Sequence, residues 1–290
     1  MNSIKKMMLS GALGCLISGM AYADGSSPQP VKPYWQDIQV VAVNKEKPRS
    51  SFMSYADRET ALTSRFEKSP YYSLLNGTWK FFFVDSYKDL PQNITDPSVN
   101  TSSWDDITVP GNWEVQGHGV AIYTNHGYEF KPKNPQPPLL PEANPVGVYR
   151  RDIEIPASWD NRDIYLHIGG AKSGLYVYLN GKEVGYSEDS KNPAEFLINK
   201  YLQPGKNVLT LKIFRWSTGS YLECQDFWRM SGIERDVFLW SQPKASIQDF
   251  RVVSTLDDTY TNGIFKLAVD LKNHTQETKN LNVGYELLDA

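Results

Sequence analysis

Along most of the chain, apolar and polar residues alternate in short runs broken by Gly, Pro, Asn and Asp, the period-two pattern of strands that bury one face. The run TWKFFFV at residues 78–84 follows Asn76-Gly77 and predicts one strand. IYLHI at 164–168 and LYVYL at 175–179 predict two more. The dipeptide Asn180-Gly181 then separates 175–179 from a run at 183–186, and Asn-Gly supplies the positive φ angles of a two-residue hairpin turn. Further strands are expected at 208–214, 236–240, 245–254, 263–271 and 281–288. Residues 58–68 carry the one convincing helical signal, and it is short. Many short strands with Gly- and Pro-rich connections predict an all-β fold, most simply a jelly-roll sandwich ending near Pro243. The remaining strands would begin a second β-sandwich. An immunoglobulin-like sandwich takes roughly seven strands and about 100 residues, so this second unit is expected to be incomplete, the chain being cut short.

The start of the chain reads differently. Lys5-Lys6, an apolar stretch from Met7 to Met20 and the small-x-small triplet Ala21-Tyr22-Ala23 form the pattern of a secretory signal at residues 1–23. A lipoprotein reading through Cys15 is the alternative. The expected division is a leader at 1–23, an arm at 24–50, a jelly roll at 51–243 and the partial sandwich at 244–290. Cleavage would leave Cys224 as the single cysteine and no disulfide within the chain. Between Lys131 and Pro145 prolines are dense, which predicts a stiff, extended loop.

Thirty Lys+Arg against 33 Asp+Glu give a formal net charge of −3, which removes a basic nucleic-acid footprint. Outside the leader no apolar run reaches the roughly 20 residues that span a bilayer. The aromatic share of 13% argues for a packed body. His118, His126, His167 and His274 show no metal spacing and are expected to be structural. No Gly-x-Ser-x-Gly elbow, P-loop or dinucleotide fingerprint occurs, and Cys224 has no evident activating histidine. The conspicuous segment is 215–237, RWSTGSYLECQDFWRMSGIERDV, where Trp216, Tyr221, Phe227 and Trp228 stand beside Glu223, Asp226, Arg229 and Arg235. Flat aromatic faces next to carboxylates suit a sugar; equally, the rings could be core and the charges a buried pair closing a loop.

That segment resembles the signature of the sugar-binding domain of glycoside hydrolase family two, in particular the large β-galactosidases. Three other stretches agree in order and spacing: VPGNWEVQGHGVAIYTNHGYEF (109–130), NPVGVYRRDIEIP (144–156) and VYLNGKEVGYSEDSKNPAEFLI (177–198). LNGTW at 75–79 resembles the family's entry into the domain. The resemblance covers roughly residue 35 to the end. It implies a galactose-binding-domain-like jelly roll, then an immunoglobulin-like domain, then a catalytic barrel. The implied activity is retaining hydrolysis of terminal β-linked galactose, which needs two carboxylates about 5 Å apart. In the family both are glutamates on barrel strands, one following an asparagine; this chain has no Asn-Glu dipeptide and no length for a barrel, so no catalytic residue is assigned.

Carried over by position, Asp226 is the residue that contacts a galactose hydroxyl and ligates a monovalent cation, Na+. A second sugar contact is an asparagine in the proline-rich loop. Here the chain departs from the family's Asn-Pro-Pro, since Asn134-Pro135-Gln136-Pro137-Pro138 carries two extra residues, so Asn134 or, without a gap, Gln136 holds the position; Asn134 has the right length. Glu223, Trp228 and Arg229 are expected to brace the Asp226 loop. Mg2+ would belong to the full-length enzyme only. The implied partners are a β-galactoside, the remainder of the enzyme and, at full length, further copies of the chain. A leader implies a periplasmic or surface location. The alternatives are a stand-alone carbohydrate-binding module, and the corresponding part of a β-glucuronidase or β-mannosidase of the same family.

Overall fold

Alternating strands need a second layer to bury their apolar face, and here two antiparallel sheets supply it to each other. The computed structural model describes residues 32–130 and 134–288, nearly all within one unit, Pro33–Ala290. The expected leader, residues 1–23, lies outside the described residues. In the larger sheet the spatial order is Ala42–Val43, Lys182–Ser187, Gly174–Leu179, Lys206–Phe214, Val146–Glu154, Gly77–Val84 and Asp105–Val109. The smaller runs Ala194–Leu197, Arg162–Ile168, Val237–Pro243, Tyr72–Leu74. Every pairing is antiparallel.

Trp79, Phe81, Tyr149, Val177, Leu209, Leu211 and Ile213 from the first sheet meet Leu166, Ile168, Phe196, Val237 and Leu239 from the second in one buried cluster. Gly147 lets Trp113 lie against the backbone: a Cβ there would stand 2.5 Å from the indole ring. The Asn180-Gly181 turn sits where the pattern places it, with φ of 54° and 77°.

Both outer faces are covered as well. Trp35 stacks on Phe214 with ring centres 5.0 Å apart, and Trp104 lies 5.5 Å from Phe82. On the smaller sheet, Met53 packs with Tyr165, Phe238 and Trp240, and Tyr55 and Phe66 lie against them.

Three expectations are corrected. The helix over 58–68 is two pieces: Asp57 caps Arg58–Leu62 by accepting from the Thr60 N–H at 2.8 Å, and Ser64 at φ 53° parts it from the 3-10 turn Phe66–Lys68. The proline-rich loop bends, because the Leu139 N–H donates to the Gln136 carbonyl at 2.8 Å; proline fixes φ but leaves ψ free to turn. Beyond Pro243, Ala245–Leu256 and Gly263–Asn273 form a long hairpin, but residues 281–288, expected as a strand, are irregular. A strand needs a ladder partner, and none of the described residues offers one. Among the described residues this part is one two-stranded hairpin, and an immunoglobulin-like sandwich is not shown.

Candidate functional site

After the strand Lys206–Phe214 the chain leaves the larger sheet, loops across one end of the sandwich and returns as Val237–Pro243 of the smaller one. This excursion is the segment the sequence singles out. It is held by three short pieces of backbone: the 3-10 turn Thr218–Tyr221, Phe227–Arg229 paired with Ile122–Thr124, and Gly232–Ile233 lying between Gly111–Asn112 and Ala171–Lys172. Ser217 and Ser220 close the turn reciprocally as a capping box.

Asp226 is exposed at the outer edge of the loop, one residue before the Phe227–Arg229 strand. Its Oδ1 accepts from the Tyr123 hydroxyl at 2.9 Å. Tyr123 pairs in register with Trp228, and their ring centres are 5.6 Å apart. The bond to the Asp226 carboxylate, with its charge, raises the Tyr123 phenol above its ordinary value, so the hydroxyl stays a donor. One carboxylate oxygen and two exposed aromatic rings thus share one surface. Trp228 is 53% and Tyr123 57% exposed, which sets them apart from the core rings.

Beneath this surface, buried polar groups tie the loop to the sandwich. Glu223 accepts from the Ser190 N–H at 2.9 Å and from its hydroxyl at 2.6 Å. Buried Arg229 donates to the Glu223 carbonyl at 3.1 Å and lies 4.8 Å over the Phe227 ring. Glu188 accepts from the Thr218 hydroxyl, the Gly219 N–H and the Tyr186 hydroxyl, at 2.6, 2.7 and 2.7 Å. Burial nevertheless raises its carboxyl above the usual range. Glu129 takes the Trp216 indole N–H at 2.6 Å and faces Lys172 at 3.5 Å; burial pushes the Lys172 ammonium down. These contacts pin the loop, so Asp226 projects from a fixed base.

The expected bracing residues therefore divide. Glu223 and Arg229 turn inward and fasten the loop, whereas Trp228 turns outward beside Tyr123. Asn134 is exposed in the proline-rich loop, as is Gln136, and no hydrogen bond joins either to Asp226. That loop is attached to the segment elsewhere: the Tyr221 hydroxyl donates to the Leu139 carbonyl, and Tyr128, Phe130 and Tyr221 pack together with centroid spacings of 4.9 to 5.5 Å. Cys224 donates to the Ser220 carbonyl, and burial pushes its thiol up, away from nucleophilic use. His167 and His274 each bond a carboxylate at 2.8 Å. Among the described residues no cluster of three His, Cys, Asp or Glu could hold a metal.

Sequence reasoning missed Tyr123, Glu188 and Ser190 as members of this region. Tyr123 carried a usable signal, an aromatic flanked by Ile122 and Thr124 in an alternating triplet. Nothing local marks Glu188 or Ser190, whose partners lie about 30 residues on.

Comparison with known proteins gives a consistent result. The family described as "Glycosyl hydrolases family 2, sugar binding domain" matches residues 72–243. The chain is similar to the beta-galactosidase of Priestia megaterium, with 39% identity over 262 residues, covering 89% of this chain and 25% of that protein. The beta-galactosidase of Actinobacillus pleuropneumoniae is 38% identical over 256 residues, covering 88% and 24%. The chain thus spans about a quarter of the length of these curated relatives. Among solved structures, a Bacteroides uniformis beta-glucuronidase aligns with a TM-score of 0.55 at 20% identity, over 71% of this chain and 22% of that one. An uncultured Clostridium beta-glucuronidase gives 0.51 at 23%, over 69% and 33%. At such identities these structures speak for the fold alone.

Proposed function

Because the chain belongs to glycoside hydrolase family 2, we propose that it is the N-terminal portion of an exported β-galactosidase and forms one wall of the galactose pocket through Asp226. The observation that carries this reading is the surface at Asp226: a carboxylate whose Oδ2 has no hydrogen bond among the described residues, beside the exposed faces of Trp228 and Tyr123, on a loop that Glu223 and Arg229 fasten from beneath. An aromatic face takes the C–H side of a pyranose while a carboxylate accepts from its hydroxyls. The pair of carboxylates that performs retaining hydrolysis belongs to the rest of the polypeptide, so this chain binds and orients. It does not carry the bond-breaking groups.

Asp226 is also the proposed ligand for Na+. A hard cation takes several oxygen donors, and Asp226 Oδ2 fits one of those positions; the described residues hold no group of three His, Cys, Asp or Glu able to cage a metal, so further donors would come from backbone, sugar or the rest of the enzyme. Bound there, the cation would supply positive charge next to the sugar hydroxyls. Asn134 is the proposed second sugar contact, Gln136 its competitor for the position. Export rests on residues 1–23, and N-terminal sequencing of the mature protein tests it.

The direct test is Asp226→Ala in the full-length polypeptide. Because Asp226 is exposed, stability should move by less than about 0.5 kcal/mol, while kcat/KM for a chromogenic β-galactoside should fall by about two orders of magnitude or more and its response to Na+ should vanish. Unchanged turnover and salt response would remove Asp226 from the site. A β-glucuronide turned over in preference to a β-galactoside would replace the substrate class.

A further inference from the structure

On the outer face of the smaller sheet, away from the Asp226 loop, the arm roofs a cavity of about 350 Å³. Its floor is apolar: Met53, Phe66 and Phe238, with the His167 imidazole stacked on Phe238 at 4.1 Å. Its back wall is a buried polar knot. Glu195 accepts from Arg49 Nε and a terminal guanidinium nitrogen at 2.9 Å each, bonds His167 Nδ1 at 2.8 Å and takes the Trp240 indole N–H at 3.1 Å. Arg49 lies over both Trp240 and Phe52, at 4.2 and 4.7 Å. The roof is fastened by the Glu46 N–H to the Glu195 carbonyl at 2.8 Å and by Ser50 to Asp249 and Phe250. With Nδ1 engaged, His167 keeps Nε2 for a ligand hydroxyl.

Charge decides what such a cavity can take. Three cations, Lys45, Lys47 and Arg49, line it together with three carboxylates, Glu46, Asp189 and Glu195. The balance is neutral: Glu195 and Arg49 are paired with each other, Lys45 donates to the Ser187 hydroxyl at 3.2 Å, and Asp189 accepts from Asn192 at 2.9 Å, so the lining as a whole favours neither sign of charge. An apolar floor, a rim of hydroxyl, amide and imidazole groups and this volume match a neutral ring with one apolar face and several hydroxyls. We propose that this cavity binds one neutral glycosyl unit of a glycan, at a site separate from Asp226. The loop before Ala194–Leu197 serves both places: Glu188 and Ser190 hold the Asp226 segment, while Asp189 and Asn192 form the cavity wall.

The proposal stands independently of the galactosidase reading, and two methionines separate them. Met53 lies in the cavity and Met230 in the segment that carries Asp226. In the full chain labelled with 13C at the methionine methyls, titration with methyl β-D-galactopyranoside and methyl β-D-glucopyranoside should move the Met53 signal saturably with at least one of them. The expected Kd is on the order of 1 mM. Asp226→Ala should leave that Kd within about twofold, whereas the rim-filling substitutions Ser51→Trp and Asn192→Trp should each weaken it about tenfold or more. Both rim positions are exposed and lie on different segments, so if one variant fails to fold the other decides. A Met53 signal unmoved by either glycoside, or moved equally in a folded rim variant, would overturn the proposal. So would a response to 4-nitrophenol but to neither glycoside, which would make the cavity an aromatic site.

Discussion

Two hairpins in this molecule are built from the same local pattern and end in opposite situations. Gly174–Leu179 with Lys182–Ser187 lies inside the larger sheet, and its Leu175, Val177, Leu179 and Val184 are almost fully buried. Ala245–Leu256 with Gly263–Asn273 is longer, yet Val252, Val253 and Leu271 are 45, 43 and 47% exposed. Alternation specifies a strand and its pairing; burial is conferred by a second layer, which the first hairpin has in the opposing sheet and the second lacks among the described residues.

Core truncation should break the two hairpins' regions most unequally. Leu211→Ala, next to Val177 in register, should cost about 4 kcal/mol in denaturant unfolding, whereas Leu271→Ala in the exposed hairpin should cost less than about 1 kcal/mol. Similar losses at both positions would mean that the second hairpin is covered in solution.

Removing Glu195 should cost about 3 kcal/mol, because Arg49, His167 and Trp240 would all lose their acceptor in a buried place. Burial alone would raise its carboxyl, but the bond from His167 and the charge of Arg49 outweigh that and hold it below the usual range. A carboxyl depressed in the folded state stabilises above its ordinary value of about 4.3 and loses that contribution as pH falls through the folded value. The stability gap between wild type and Glu195→Gln should therefore be full near neutrality and close in acid; a constant gap down to the acid transition would contradict the pairing.

Glycine replacement sharpens the same contrast on a smaller scale. Gly181 has φ of 77°, and a Cβ there would stand 2.9 Å from Pro97, so Gly181→Ala should cost about 1–2 kcal/mol. Gly263 opens the second strand of the exposed hairpin with nothing within 4 Å, and Gly263→Ala should change the unfolding free energy by less than about 0.5 kcal/mol in denaturant titration.

The sandwich was legible where a mostly apolar run is bounded by turn residues. Residues 78–84, 164–168, 175–179 and 208–214 all fall within observed strands. Val146–Glu154 was not read as a strand, although it is central: it is covered on both sides, and Arg150 is buried there by donating to the Ile94 and Val99 carbonyls and to Thr210. A charged residue satisfied by a distant loop cannot be distinguished locally from a solvated one. Ala194–Leu197 hid for the same reason, with Glu195 inside it. At the candidate site, Asp226 could be placed from its motif, but its partner Tyr123 is 103 residues away and its bracing depends on a loop from another hairpin.

The arm also bears on the order in which the molecule is completed during synthesis. Trp35 closes the outer face of one sheet against Phe214, and Arg49 fastens across the other against Glu195 and Trp240. These arm residues are made early, yet their seats exist only once strands far along the chain have emerged. The growing polypeptide must therefore hold its arm unplaced, with Tyr176, Phe214 and Phe238 uncovered, until the last strand of the smaller sheet arrives. Until the arm is seated, Phe214 and Phe238 lack part of the cover they have in the folded sandwich, so the outer faces close last.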